Sequence, residues 1–165
     1  MSQRDEEFTG YVLASRRQLL RTAYLLSGSW EQAEDITQIA LAKLYVAWPR
    51  VQRDRGPDAY ARRIIARTTI DEWRRPWRRE VVVDHTLVDV GGSVPSSDAS
   101  QRGALVDALG QLPLRQRQVV VLRHYWGLSV AEVARDLGIS TGSVKSHSSR
   151  GVHRLAELMS TREKV

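Results

Sequence analysis

Between Val130 and Leu155 the apolar residues keep a helical period that breaks once, at Gly138-Ile139-Ser140. Val130, Val133, Ala134 and Leu137 fall at i, i+3, i+4 and i+7, which is one face of a helix. Ser129 stands three residues before Glu132, the spacing of a reciprocal N-terminal box. Gly138 supplies the positive φ that a tight turn requires, and Ile139 is placed to plug the space beneath it. Ser140 then caps a second helix, whose inward face is read as Val144, Ser148, Gly151, Val152 and Leu155. A short helix, a glycine turn and a second helix with a polar, basic outer side predict a helix-turn-helix.

The rest of the chain extends this helical reading. The β-branched run Val81-Val82-Val83 is short and isolated. Tyr11, Val12, Ser15, Leu19, Ala23 and Leu26 predict a helix over 8–26 that ends at Ser27-Gly28. Ser29 and Gln32 have capping-box spacing, and Ala33, Ile36, Ala40, Leu44 and Ala47 mark a second helix over 30–48, closed by Pro49. Asp58 is the expected N-cap of a third helix that runs to about Arg75, where Pro76 stops it. Residues 91–101, GGSVPSSDASQ, read as flexible linker. Leu105, Val106, Leu109 and Leu112 then mark a short helix, and a Val-rich helix runs from Leu114 to Trp126 and Gly127. The expected fold is all-α. It has two small helical domains, 1–80 and 104–165, joined by a flexible linker at 81–103, and the C-terminal domain is the helix-turn-helix.

Charge divides along the same lines. Residues 50–80 carry ten Arg against five acids, and residues 115–154 carry seven basic groups against two. Between them, residues 81–114 hold one Arg and four Asp. Two basic blocks flanking an acidic connector suit a polyanion touched at two places. The absence of cysteine excludes disulfides, thiolate zinc sites and cysteine nucleophiles, and suits a reducing cytoplasm. No apolar run approaches the roughly 20 residues of a membrane helix, so a soluble cytoplasmic protein is expected, with no membrane partner.

On the second helix of the motif, Ser146, Ser149, Arg150 and His153 oppose the inward face, with Lys145, His147 and Arg154 on the flanks. Short side chains let a helix approach the floor of the major groove, Arg can make two bonds to guanine, and Ser can bond several base edges. Thr141 and Ser143, with Ser140, lie in the first turn, whose free N–H groups can hold a phosphate. Gly138-Ile139-Ser140-Thr141-Gly142 also matches G-x-S-x-G, the nucleophile elbow of hydrolases. That elbow needs a strand before the serine and a sheet to hold its partners, and an amphipathic helix precedes it here. No catalytic residue, cofactor, metal or small-molecule substrate is therefore expected.

The C-terminal unit resembles region four of bacterial RNA polymerase sigma factors. The matching residues are Leu112-Pro113-Leu114-Arg115-Gln116-Arg117, the Val119–Leu122 run, Gly127-Leu128-Ser129-Val130-Ala131-Glu132-Val133-Ala134, Gly138, and Gly142-Ser143-Val144-Lys145-Ser146. LuxR-type regulators carry a related motif, and Val144-Lys145-Ser146-His147 fits theirs, so a stand-alone regulator of that type is the alternative. The N-terminal unit separates the two. It lacks the strand–helix alternation of a receiver domain. Ala33-Glu34-Asp35-Ile36-Thr37-Gln38 is similar to a stretch of sigma region two, and Arg62-Arg63-Ile64-Ile65 with Trp73-Arg74-Arg75 is similar to its promoter-reading helix. Both units in this order resemble the extracytoplasmic-function (ECF) group, and Arg21-Thr22-Ala23-Tyr24-Leu25-Leu26 resembles an actinobacterial subgroup. Two positions depart from the family pattern: Arg67, where Asn is frequent, and His147, where Arg is frequent.

The resemblance implies roles. Asp35, Gln38, Ile39 and Ala42 would meet the clamp of the polymerase largest subunit, and part of the C-terminal unit would dock on its flap. Arg53, Asp54, Asp58, Arg62, Arg63, Arg67, Arg74 and Arg75 would serve the minus-ten element. Thr141, Ser143, Lys145, Ser146, His147, Ser149, Arg150, His153 and Arg154 would serve the minus-thirty-five element. Core RNA polymerase and promoter DNA are the implied partners, and an anti-sigma protein covering both units is a further one.

Overall fold

The computed structural model of the protein describes residues 1–51, 55–73 and 96–164. Seven α-helices make up the described residues, and no strand occurs among them. They are α1 (Gln3–Ser27), α2 (Trp30–Val51), α3 (Pro57–Trp73), α4 (Ser96–Gly110), α5 (Leu114–Val120), α6 (Val130–Leu137) and α7 (Thr141–Glu163), with a π-helical turn, Val121–Tyr125, after α5. No helix among them is long and apolar enough to cross a membrane. Residues 81–95 of the expected linker, Arg53, Asp54, Arg74, Arg75, Pro76, Trp77, Arg78 and Arg79 lie outside the described residues, as does the side chain of Trp73.

Helix α1 begins at Gln3, five residues before the expected start at residue 8. Ser2 accepts from the Asp5 N–H while the Asp5 carboxylate accepts from the Ser2 N–H, a capping box built from the polar N-terminus. Gly28 ends α1 at φ 78° and returns its N–H to the Tyr24 carbonyl. Helix α2 then passes through Pro49, which had been expected to close it, and stops at Val51. Proline cannot donate to the carbonyl four residues back, here that of Tyr45. The Arg4 guanidinium donates to that same carbonyl, so the helix continues without an orphan acceptor.

Asp58 is not the N-cap of α3. Pro57 opens the helix, where a missing N–H costs nothing, and the Asp58 carboxylate accepts from the Tyr11 hydroxyl at 2.8 Å. Helix α4 starts at Ser96, inside the stretch expected as linker. Val152 was expected inward but is 43% exposed, because Gly151 and Val144 hold the inner line of α7 and Val152 falls 100° away from Gly151.

Leu19, Leu26, Ile36, Leu44 and Ile65 are fully buried between α1, α2 and α3, each worth about 1.5–3 kcal/mol of burial. The same apolar cluster takes in Leu109, Leu112, Val120 and Val121 from the C-terminal half. A second, smaller cluster, built on Val119, Leu122, Val133 and Val144, holds the helix-turn-helix.

Buried polar groups tie the halves together. Arg117, 3% exposed, donates to the carbonyls of Leu26, Leu109, Gly110 and Leu112, so one guanidinium serves the C-terminal ends of both α1 and α4. Burial pulls its pKa down to about 10, which leaves it charged at neutral pH. Gln118, wholly buried, donates to the Ala66 carbonyl of α3.

Candidate nucleic-acid interface

The motif forms as its residues dictate. Ser129 and Glu132 make both bonds of the capping box at the start of α6. Hydrogen bonding from Ser129, its backbone N–H first and its hydroxyl second, holds the Glu132 carboxyl below its ordinary range. Gly138 turns the chain at φ 66°, and the Ser140 hydroxyl accepts from the Ser143 N–H at 3.0 Å to open α7. The serine of the G-x-S-x-G match is thus a helix cap. Helix α7 lies close against α5 because residue 151 is glycine: a Cβ there would stand 2.6 Å from Val120 Cγ2.

This packing turns Lys145, Ser146, Ser149 and Arg150 to the exterior, with Thr141 exposed at the helix start. Arg150 makes no ion pair among the described residues. Ser143 is half-buried, and its hydroxyl accepts from that of Ser140. His147 is also half-buried, and its Nδ1 has no hydrogen-bond partner among the described residues. His153 and Arg154 are exposed, but both reach Glu157, at 3.1 and 3.2 Å. The outward face therefore has a free centre and a tethered C-terminal edge.

Helix α3 treats its three arginines differently. Arg67 is exposed. Arg63 is half-buried beside the Tyr60 ring, 6.0 Å from its centroid. Arg62 is 8% exposed and points away from solvent. Its Nε lies 2.7 Å from Oδ2 of Asp136 on α6, and its guanidinium lies 4.7 Å from the centroid of the Trp126 ring. Trp126 in turn donates from Nε1 to the Thr22 hydroxyl of α1, and that hydroxyl donates to the Gln18 carbonyl. The π-helical turn, not foreseen from sequence, ends at the residue before Trp126 and bonds the Trp126 N–H to the carbonyl of Val121.

On α2, Asp35, Gln38, Ile39 and Ala42 share one exposed face. Val46, 73% exposed, extends it by a turn. Sequence reasoning passed over Val46, although its spacing from Ile39 and Ala42 places it on the same side.

The family profile for sigma-70 region 2 matches residues 11–79, and that for sigma-70 region 4 matches residues 102–155. An RNA polymerase sigma-E factor of Streptomyces avermitilis is 37% identical over 157 residues, covering 95% of this chain and 87% of the relative. The ECF RNA polymerase sigma factor SigM of Mycobacterium tuberculosis is 32% identical over 146 residues, covering 87% of this chain and 72% of the relative. The chain belongs to the ECF sigma factors.

The fold of this sigma factor recurs in solved structures. The sigma factor RpoE, solved in complex with the anti-sigma factor NepR from Bartonella quintana, aligns at a TM-score of 0.76 and 23% identity, over 94% of this chain and 98% of that one. CnrH, solved with the cytosolic domain of CnrY, aligns at a TM-score of 0.70 and 21% identity, over 95% of this chain and 90% of that one. The LuxR-type alternative is not supported: residues 11–79 match sigma region 2, and the described residues among them are helical.

Proposed function

We propose that this sigma factor binds core RNA polymerase and directs promoter-specific initiation by placing two helical units on DNA. The units are residues 1–80 and 104–165, joined through 81–103. Asp35, Gln38, Ile39 and Ala42, with Val46, meet the polymerase clamp, and part of the C-terminal unit meets the flap. Lys145, Ser146, Ser149 and Arg150 enter the major groove of the minus-thirty-five element. Thr141 and Ser143 lie by a phosphate at the start of α7, and His147, His153 and Arg154 flank the groove. Arg53, Asp54, Asp58, Arg62, Arg63, Arg67, Arg74 and Arg75 serve the minus-ten element.

The observation that carries this reading is the outward face of α7. Short hydroxyl side chains surround an Arg free of ion pairs among the described residues, on a helix pinned from behind by a glycine contact. That is the shape and chemistry of a groove-reading helix. The protein acts in the cytoplasm as a non-catalytic subunit, and an anti-sigma protein is a fitting regulator. Two weak DNA contacts and two polymerase contacts add through tethering, so the free protein binds DNA weakly.

Run-off transcription tests the reading. The protein is mixed with sigma-free core polymerase and a pool of promoter fragments from its own genome. Specific transcripts are expected, and they are expected to fall when Asp35 and Gln38 are both changed to Ala. Folded protein that gives no transcript and does not co-purify with core polymerase would sink it.

A further inference from the structure

The first turns of α1 hold the corner between α2 and α3 from both sides. Pro49 leaves the Tyr45 carbonyl without its helical donor, and the Arg4 guanidinium supplies one. That guanidinium also lies 4.6 Å from the centre of the Tyr45 ring, and the Tyr45 hydroxyl donates to the Asp5 carboxylate at 2.6 Å. Phe8 packs edge-on against Tyr45 and Trp48, with ring centres 5.0 and 5.3 Å away. One turn further along α1, the Tyr11 hydroxyl donates at 2.8 Å to Oδ1 of Asp58, in the first turn of α3. One helix thus grips the end of α2 and the start of α3.

We infer that Arg4 and Tyr11 are positioning residues for the minus-ten element: they set the α2–α3 corner from which Asp58, Arg63 and Arg67 meet DNA. The inference rests on the minus-ten contacts proposed above. The Val51 carbonyl accepts from the Gly56 N–H at 3.3 Å, so the entry of α3 follows the last turn of α2. That turn lies beyond Pro49, and Val51 is buried within it. A proline weakens a helix partly through the bond it cannot make, and Arg4 replaces that bond. Without it, α2 gives way at its weakest step and the corner moves. Arg67 lies nine residues beyond Asp58 on α3, or about 13 Å at about 1.5 Å per residue. A tilt of about 10° at the corner displaces it by about 2 Å, more than a hydrogen bond tolerates. On the α3 side, the Tyr11 hydroxyl fixes one carboxylate oxygen of Asp58 and leaves the other to accept from the exocyclic amino group of a base.

Neither bond is part of the buried core. Arg4 and Tyr45 are both exposed, and Tyr11 and Asp58 are half-buried. Hydrogen bonds between such groups add little to global stability, so their effect is local order at the corner.

Pro49→Ala makes the test specific. It restores an N–H that can donate to the Tyr45 carbonyl, so Arg4 becomes dispensable there. Run-off transcription with core polymerase is measured on a fragment that the wild type transcribes, and on single-base variants of both its promoter elements. Arg4→Ala is expected to lower the transcript at least threefold and to relax base preference at the minus-ten element alone. The double variant, Arg4→Ala with Pro49→Ala, is expected to recover both. Arg4→Lys keeps a donor and is expected to stay near wild type. Tyr11→Phe keeps the ring and loses the hydroxyl, and is expected to relax preference at the same base as Asp58→Ala. An Arg4→Ala loss that Pro49→Ala does not restore, or that falls on both elements alike, overturns the inference, since it marks a general loss of folded protein. So does an Arg4→Ala or Tyr11→Phe chain that keeps the wild-type base preference. No transcript from the wild type would instead overturn the promoter reading, and the inference with it.

Discussion

Gly151 sits where α7 crosses α5, and its missing side chain sets how close the two helices come. Gly151→Ala would gain about 1 kcal/mol of helix propensity. It would also drive a methyl to 2.6 Å from Val120 Cγ2, a stiff β-branched neighbour that cannot swing aside. Overpacking of that kind costs about 1–3 kcal/mol, so the variant should be less stable by about 1 kcal/mol, a fall of about 2–4 °C in the calorimetric Tm. Arg117 is a second single-residue device. Its flat fork reaches four carbonyls on two chain segments, a pattern the compact ammonium of a lysine cannot reproduce. Arg117→Lys is expected to cost about 2–3 kcal/mol in urea unfolding, from carbonyls left without a donor. The sequence marks neither role on its own. A glycine in a helix and an arginine in a basic block look ordinary until the partner elements are known.

Among the elements, α6 and α7 were legible because their signals are local. Ser129, Glu132, Gly138 and Ser140 each act within four residues, and the structure forms the bonds their spacing predicts. Glu132 makes the α6 cap sensitive to acid. Its folded pKa is depressed, so its contribution is present above the ordinary value of 4.5 and is lost as the pH falls through the lowered folded value. Amide exchange at Ser129 is expected to quicken over that range, and Glu132→Gln should remove the pH dependence. On α7, Arg150 and Lys145 should separate in promoter binding by holoenzyme. Arg150→Ala should cost about 1–3 kcal/mol and relax preference at one base pair. Lys145→Ala should weaken all sequences alike and lower the salt slope by about 1. Where an element differed from expectation, a distant partner was responsible. Helix α2 outlasts Pro49 because Arg4, 41 residues away from Tyr45, takes the freed carbonyl. Asp58 serves Tyr11, 47 residues distant, and is not a cap.

For the whole molecule, the all-α class and the order of the units could be read from periodicity and charge, but their embrace could not. Arg62 and Asp136 lie 74 residues apart, each inside a pattern that looks solvated, and nothing local announces that they meet. The candidate polymerase face was legible only through the family resemblance, since Asp35 and Gln38 read otherwise as an ordinary wet surface. Because one apolar cluster spans both units, unfolding should be a single event: helix content and tryptophan fluorescence are expected to lose their signals at one midpoint. Leu109→Ala, which cuts that cluster from the C-terminal side, should lower both signals together. Because Arg117 closes the carbonyl ends of α1 and α4 together, neither unit can fray without the other, and a protease meets one body where the sequence suggests two.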